Sequence, residues 1–246
     1  MTPVDPILIP PSVVVLRPAG SGPFPTVIMM HGCGGRQPFM FHYAEAFREA
    51  GLAAVVVDSF AHRGIDRLNA HLTVCTGLRL RGRERAADLF AVIDWLSQQD
   101  WSDADRLAAA GWSHGGWTIM DAMSLAGTHP DLLRRAAKLR QVIVVYPYCG
   151  PPSMTQGQGW GPLRPTVTAV IGGRDAVVGA RAPSRALDRL SRDGVVVNLH
   201  TFDDATHAFD DDQATDPRTR FRADLRDRAT LLAVDALRGD LTDRKP

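Results

Sequence analysis

The chain has 246 residues, of which 45% are hydrophobic and 22% are charged, and its formal net charge is +1. This is ordinary globular composition, and the length predicts a single α/β domain over residues 1–246. Because 28 basic side chains balance 27 acidic ones, we expect neither nucleic acid nor an acidic membrane surface as a partner. No apolar run approaches the ~18 residues of a membrane span.

The N-terminus and the cysteines bear on the compartment. Residues 1–11 have no basic stretch ahead of an apolar one, so we expect no signal peptide and a cytoplasmic protein. A periplasmic or secreted location is the alternative if a signal peptide was removed. Cys33, Cys75 and Cys149 lack the spacing of a zinc site, and we expect no metal or cofactor. They are predicted to be free thiols, with one Cys75–Cys149 bridge as the alternative.

Strand and helix patterns alternate along the chain. Residues 12–17 and 26–31 are β-branched runs around a turn-rich segment, which predicts an antiparallel pair at a sheet edge. Residues 59–78 show no clear periodicity and form a long connection. The other predicted strands are 52–58, 106–110, 142–146, 167–171 and 195–201, and the predicted helices are 39–50, 80–99, 117–125, 131–140, 181–192 and 220–237. The alternation predicts a mainly parallel sheet of about seven or eight strands with helices on both faces.

Residues 111–116 place a serine in a sharp turn between a predicted strand and a predicted helix. Gly111 and Gly115 have no side chains to clash in such a turn, and Gly116 lets the helix lie close to the sheet. The pattern predicts that the Ser113 hydroxyl stands at the tip of the turn, at a helix N-terminus that favours a developing anion.

A serine hydroxyl needs a base, and the base needs a group that orients it. In proteins with this turn the acid and then the histidine follow the serine, each on a loop after a strand. Asp175 and His207 have those positions, and none of the other seven histidines does. Asp203 and Asp204 are alternatives for the acid. The tight turn before Asp175 favours that residue, because it aims a short carboxylate into the cleft.

The glycine-rich residues 31–35 follow a predicted strand, so their backbone N–H groups can approach a ligand closely. An oxyanion needs two such donors. We expect one from the backbone of His114, next after the serine, and the other from Cys33, with Gly34 as the alternative.

At these residues the chain resembles the dienelactone hydrolase-like branch of the α/β-hydrolases. The resemblance runs through HGCGG at 31–35, DSFAHRG at 58–64, GWSHGG at 111–116, YPYC at 146–149, GGRD at 172–175 and THAFD at 206–210. It implies an α/β-hydrolase fold, a triad of Ser113, His207 and Asp175, and metal-free hydrolysis of an ester or related acyl bond.

The sequence also departs from that family. Enzymes that act on dienelactone typically have a cysteine nucleophile and bind the substrate carboxylate through arginines, one of them just beyond the histidine. Here the nucleophile position is Ser113, and the residues beyond the histidine are Asp210, Asp211 and Asp212. A carboxylate would be repelled there, so we do not expect activity on dienelactone itself.

Further residues are candidates for substrate binding, among them Gly34 of the glycine-rich segment. Arg63 belongs to a cluster of arginines with Arg67, Arg79, Arg81, Arg83 and Arg85. The cluster is either an anion-binding site or a solvated face, and Arg63 could serve as a structural anchor. The candidates for an apolar acyl pocket, each of which could instead be core, are Trp112, Tyr148, Trp160 and Phe209.

The leading hypothesis is a monomeric or homodimeric serine hydrolase that cleaves esters of small molecules through an acyl-enzyme on Ser113. An amidase or peptidase with the same triad is the first alternative. The second is a binding protein on an inert hydrolase scaffold.

Overall fold

The computed structural model describes residues 13–242, apart from the side chains of Asp240 and Thr242. Residues 1–11, which bear on the signal-peptide prediction, lie outside these described residues. A seven-stranded sheet forms the centre, in the order β1-β3-β2-β4-β5-β6-β7. The strands are β1 (Val13–Leu16), β2 (Phe24–Met30), β3 (Ala53–Val57), β4 (Ser102–Trp112), β5 (Leu139–Val145), β6 (Thr166–Gly172) and β7 (Val197–Phe202).

Seven α-helices are assigned within the described part of the chain. They are α1 (Phe39–Glu49), α2 (Arg67–Asn69), α3 (Gly82–Leu96), α4 (His114–Ala126), α5 (Pro130–Ala136), α6 (Arg181–Arg192) and α7 (Ala223–Leu237). None of the helices described here is both long and apolar enough to cross a membrane. The predicted mainly parallel sheet with helices on both faces is confirmed.

The pairing of the first strand was predicted wrongly. β1 is antiparallel and lies at the edge of the sheet, but its partner is β3. β2 lies in the interior and pairs in parallel with both β3 and β4. The apolar run of β2 is compatible with an edge or an interior position, so the local pattern could not choose between the two.

Each strand of the sheet interior sends alternate side chains to two separate cores. From β2, Ile28 and Met30 face the core that packs against α3, α4, α5 and α6. Val27 and Met29 face the opposite core, which packs against α1 and α7. Burial on both faces fixes the register of the parallel strands, so their carboxyl ends and following loops lie at one edge.

The long connection between β3 and α3 is built from short helical turns. The short helix α2 continues into one π-helical turn, Ala70–Val74. Ala70 and Val74 are buried with Phe60, Ile65 and Leu80 in a small apolar cluster of their own. We call residues 67–77 the roof segment, because several of them line the cavity described below.

Candidate active site

The turn between β4 and α4 holds Ser113 in a strained backbone conformation, with φ 51° and ψ −113°. The flanking glycines explain how the turn closes. A β-carbon at Gly111 would lie 2.6 Å from the Gly115 backbone, and one at Gly115 would lie 2.0 Å from the Met30 carbonyl oxygen. Strain of this kind is tolerated where packing determines the conformation.

The structure brings Ser113, His207 and Asp175 together, although they lie on three different loops. His207 Nε2 is 2.9 Å from Ser113 Oγ, and His207 Nδ1 is 2.8 Å from Asp175 Oδ2. Asp203 and Asp204, the alternative acids, are exposed, and Asp204 pairs instead with Arg174.

Asp175 is held as a charged acceptor. Burial raises the pKa of this carboxyl, but hydrogen bonds from His207 and from the backbone N–H groups of Val178 and Val177 outweigh burial and lower it. The two backbone bonds to Oδ1 are 2.8 and 2.9 Å long. Asp175 and His207 are only 8% and 7% exposed. A carboxylate fixed in this way favours the Nδ1–H tautomer of His207, which leaves Nε2 free to accept the serine proton.

The glycine loop after β2 lies directly against the serine. A β-carbon at Gly32 would lie 3.7 Å from Ser113 Cβ, which is ordinary contact distance. His31 Nδ1 lies 2.6 Å from the Gly32 carbonyl and holds the loop at its start. Cys33, Gly34 and His114 all border the same cavity as Ser113. The predicted oxyanion donors are thus neighbours of the serine.

The cysteine prediction is corrected by the structure. Cys33 and Cys75 form a disulfide, with their Cα atoms 5.0 Å apart. Cys149 is a buried free thiol against Met120, and burial raises its pKa to about 12. The helical turns of the roof segment carry Cys75 over the glycine loop, and this approach of distant segments leaves no local pattern in the sequence.

A cavity of about 360 Å³ opens beside Ser113. Of the predicted substrate-binding residues, Gly34, Trp112 and Tyr148 line it. The lining also contains residues that the sequence analysis missed, namely Trp117, Tyr146, Val177 and Val178. Arg67 of the predicted arginine cluster and Asp211 line the cavity as well. Trp117 is one helical turn beyond Ser113, a spacing that could have indicated it.

Three other predicted substrate-binding residues do not appear in the described lining of this cavity. Arg63 forms a two-pronged ion pair with Asp88, at 2.7 and 2.8 Å, and so has the anchoring role that was its alternative. Phe209 is 0% exposed among core residues of the α1 and α7 side. Trp160 is 1% exposed and belongs to the core on the α3 and α4 side of the sheet.

A buried carboxyl supports the loop that carries His207. Asp210 accepts hydrogen bonds from Tyr43 of α1 and from Tyr146, which follows β5. The Tyr146 ring in turn lies against His207, with ring centroids 4.7 Å apart. Burial raises the pKa of Asp210 to about 6. Of the three aspartates expected to repel a carboxylate, Asp211 lines the cavity and Asp210 points into this network.

No group of three or more His, Cys, Asp or Glu side chains is arranged to hold a metal ion within residues 13–242.

Comparison with known sequences finds curated proteins that match only part of this chain. One of them is an uncharacterized 31.7 kDa protein of Escherichia coli from the traX–finO intergenic region, 31% identical over 106 residues. The match covers 43% of this chain and 34% of that protein. The chain thus spans about a third of the length of this relative.

Several solved structures share the fold at low sequence identity. A dienelactone hydrolase from Anabaena variabilis matches with TM-score 0.64 and 19% identity, over 93% of this chain and 91% of its own. A dienelactone hydrolase-like phosphotriesterase from metagenomic libraries matches with TM-score 0.69 and 19% identity, over 93% and 99%. Esterase 2 of Thermogutta terrifontis, phosphoramylated by tabun, matches with TM-score 0.66 and 18% identity, over 95% and 90%.

A match to a family model identifies the family of this chain, which solved structures at such low sequence identity do not show. The family model describes the dienelactone hydrolase family, and it matches residues 12–232, a span that contains the serine turn, the acid, the histidine and the glycine loop. This chain belongs to the dienelactone hydrolase family of α/β-hydrolases.

Proposed function

We propose that this protein is a serine hydrolase that cleaves carboxylic esters of small substrates through an acyl-enzyme on Ser113. The observation that carries the proposal is the position of the His207 imidazole, with Nε2 2.9 Å from Ser113 Oγ and Nδ1 2.8 Å from Asp175. Those distances are within the range at which a base removes a proton from a nucleophile.

In the proposed reaction, Ser113 Oγ attacks the ester carbonyl carbon while its proton moves to His207 Nε2. Asp175 holds the imidazole and stabilises its charged form. The backbone N–H groups of His114 and Cys33 donate to the negative oxygen of the tetrahedral intermediate. The protonated His207 then gives its proton to the leaving alcohol. Water, activated by the same histidine, releases the acid and restores the serine.

The cavity supports a small substrate. Its volume of about 360 Å³ is near the lower end of the ~300–1,000 Å³ range of ligand pockets. Trp117, Tyr148, Val177 and Val178 offer apolar surface for an acyl group. Asp211 in the lining disfavours a substrate that carries its own carboxylate there.

The test uses p-nitrophenyl esters of increasing acyl length and intact-mass spectrometry after reaction with a fluorophosphonate. We expect turnover to be highest for short acyl groups, and one fluorophosphonate adduct on Ser113. Ser113→Ala should lose both. Ser124→Ala is the matched control, because Ser124 lies on the same helix and donates to the Gln158 carbonyl away from the cavity.

Three results would contradict the proposal. Equal ester turnover by Ser113→Ala and the wild type would favour an inert scaffold with adventitious activity. A fluorophosphonate adduct on another residue would show that the nucleophile is not Ser113. Faster cleavage of the matching p-nitroanilides than of the esters would favour the amidase alternative.

The disulfide between Cys33 and Cys75 supports a location outside the reducing cytosol, because disulfides persist in oxidising compartments. We therefore favour the periplasmic or secreted alternative. Thiol labelling of the protein in its native host, followed by mass spectrometry, tests this; two additional labelled cysteines would contradict it.

A further inference from the structure

Arg85 on α3 is a buried cation without a carboxylate partner among the described residues. It is 0% exposed, and it forms no ion pair in that part of the chain. The nearby carboxylate of Asp88, one turn along the helix, is occupied by both terminal nitrogens of Arg63. Buried charges are normally paired, since isolation from water is costly, so this arginine calls for an explanation.

The contacts of Arg85 all go to neutral groups around the candidate active site. Nη1 donates to the His31 carbonyl at 2.7 Å and lies 3.2 Å from His114 Nδ1, and Nε donates to Ser59 Oγ at 2.8 Å. A guanidinium has no acceptor, so His114 Nδ1 accepts and the ring is neutral with its proton on Nε2. Burial and the charge of Arg85 lower the pKa of His114 to about 3, in agreement with a neutral ring.

Two of these partners, His31 and His114, belong to segments that meet at the serine. His31 begins the glycine loop that carries Cys33, and His114 is the residue next after Ser113. One guanidinium therefore contacts both segments whose backbone N–H groups form the proposed oxyanion hole. We infer that Arg85 is a positioning residue that fixes the two oxyanion donors relative to each other and places a positive charge behind them, an inference that rests on the proposed function.

The physical gain is specific to the transition state. A fixed cation in a buried, low-dielectric site stabilises negative charge that develops nearby, and it does so without reorganisation during the reaction. Burial lowers the pKa of Arg85 to about 9, so the group stays charged at neutral pH. The ester before attack carries no net charge, so its binding gains little from the cation.

We expect substitution of Arg85 to lower kcat while KM stays nearly unchanged. We expect Arg85→Met to lower kcat roughly 10- to 100-fold with KM changed less than about twofold, since loss of one complete oxyanion donor typically costs ~10²–10³. Arg85→Lys keeps the charge but reaches fewer partners, so its kcat should lie between that of the wild type and that of Arg85→Met. If Arg85→Met does not fold, Arg85→Lys and Ser59→Ala, which removes the Nε partner alone, carry the test.

Arg106→Met is the matched control. Arg106 lies near the start of β4, the strand that leads to the serine, and pairs there with Asp103 at 2.6 Å. We expect the Arg106→Met variant to have a lower melting temperature and an unchanged kcat. Wild-type kcat in Arg85→Met and Arg85→Lys, or a loss confined to KM, would overturn the inference and leave Arg85 a structural residue.

The rate of fluorophosphonate labelling separates this inference from the proposed function. If the wild type labels on Ser113 but cleaves no ester, the substrate class is wrong, and slower labelling of the Arg85 variants still supports the positioning role. If labelling rates of these variants equal the wild-type rate, the positioning role is wrong even where ester cleavage is confirmed. If the wild type shows neither ester turnover nor labelling, both the proposed function and the positioning role are overturned.

Discussion

Cys33 and Cys75 are joined by a disulfide that ties the glycine loop beside Ser113 to the roof segment of the cavity. Cys33 is the residue proposed to donate a backbone N–H group to the oxyanion, and Cys75 lies at the end of the π-helical turn. The bond therefore couples the position of a proposed catalytic donor to the position of a wall of the substrate cavity.

Breaking this bond should lower both stability and activity. We expect Cys75→Ser to reduce the free energy of unfolding by up to about 4 kcal/mol, the loop-closure value for a separation of 42 residues. It should also lower kcat/KM, because the glycine loop and the roof segment gain freedom. Urea unfolding and ester kinetics measure the two effects, and dithiothreitol treatment of the wild type should reproduce them.

Cys149→Ser is the control for that experiment, because Cys149 forms no disulfide and is buried away from the cavity. Dithiothreitol should lower the activity of this variant as it lowers that of the wild type. Unchanged kinetics in Cys75→Ser would show that the two segments hold their positions without the bond.

The buried Asp210 should matter more for stability than its exposed neighbour Asp212. Asp210→Leu leaves the hydroxyls of Tyr43 and Tyr146 buried without their acceptor, at a cost of about 1–3 kcal/mol for each. Asp212→Leu, at an exposed neighbouring position, should change the free energy of unfolding by less than about 0.5 kcal/mol. Urea unfolding of the pair checks this; equal midpoints would show that the network contributes nothing.

His114 should make folding dependent on pH through its side chain. Burial and Arg85 lower its pKa to about 3 in the folded protein, whereas the unfolded chain binds a proton near pH 6.5. Because the unfolded state binds more protons below that value, the contribution is complete above pH 6.5 and is lost as pH falls toward 3. Between pH 7 and pH 5 the loss is about 2 kcal/mol.

The variant His114→Gln isolates this effect. Asp121 and Asp210, whose pKa values burial raises to about 6, stabilise the fold as pH falls in the wild type and the variant alike. We therefore expect the variant to lose about 2 kcal/mol less than the wild type between pH 7 and pH 5. Parallel stability curves from urea unfolding at both pH values would contradict the assignment.

The turn around Ser113 should not accept a side chain at Gly115. The new β-carbon would meet the Met30 carbonyl oxygen at 2.0 Å, and this contact is with backbone that cannot move aside. We expect Gly115→Ala to cost about 3 kcal/mol or more and to abolish ester cleavage. Gly157→Ala is the control, because nothing lies within 4 Å of a β-carbon there; equal thermal unfolding of the two variants would refute the steric argument.

The sequence by itself determined the fold class and the meeting of Ser113, Asp175 and His207. The reason is that each residue follows a strand of the parallel part of the sheet, and the carboxyl ends of parallel strands share one edge. The role of the glycines around Ser113 could also be predicted from the sequence, because the sharp turn excludes side chains at those positions. These features depend on local patterns and on chain order, which a sequence displays directly.

Only the tertiary structure decided the partner of β1, the pairing of Cys33 with Cys75, and the choice among the aromatic candidates. An apolar run fits an edge or an interior strand equally well, and Trp160 and Trp117 are both buried although only Trp117 lines the cavity. The network of Tyr43, Tyr146 and Asp210 likewise joins distant elements. Such contacts follow from how helices and loops pack over the sheet, and packing between remote segments leaves no periodic trace in the chain.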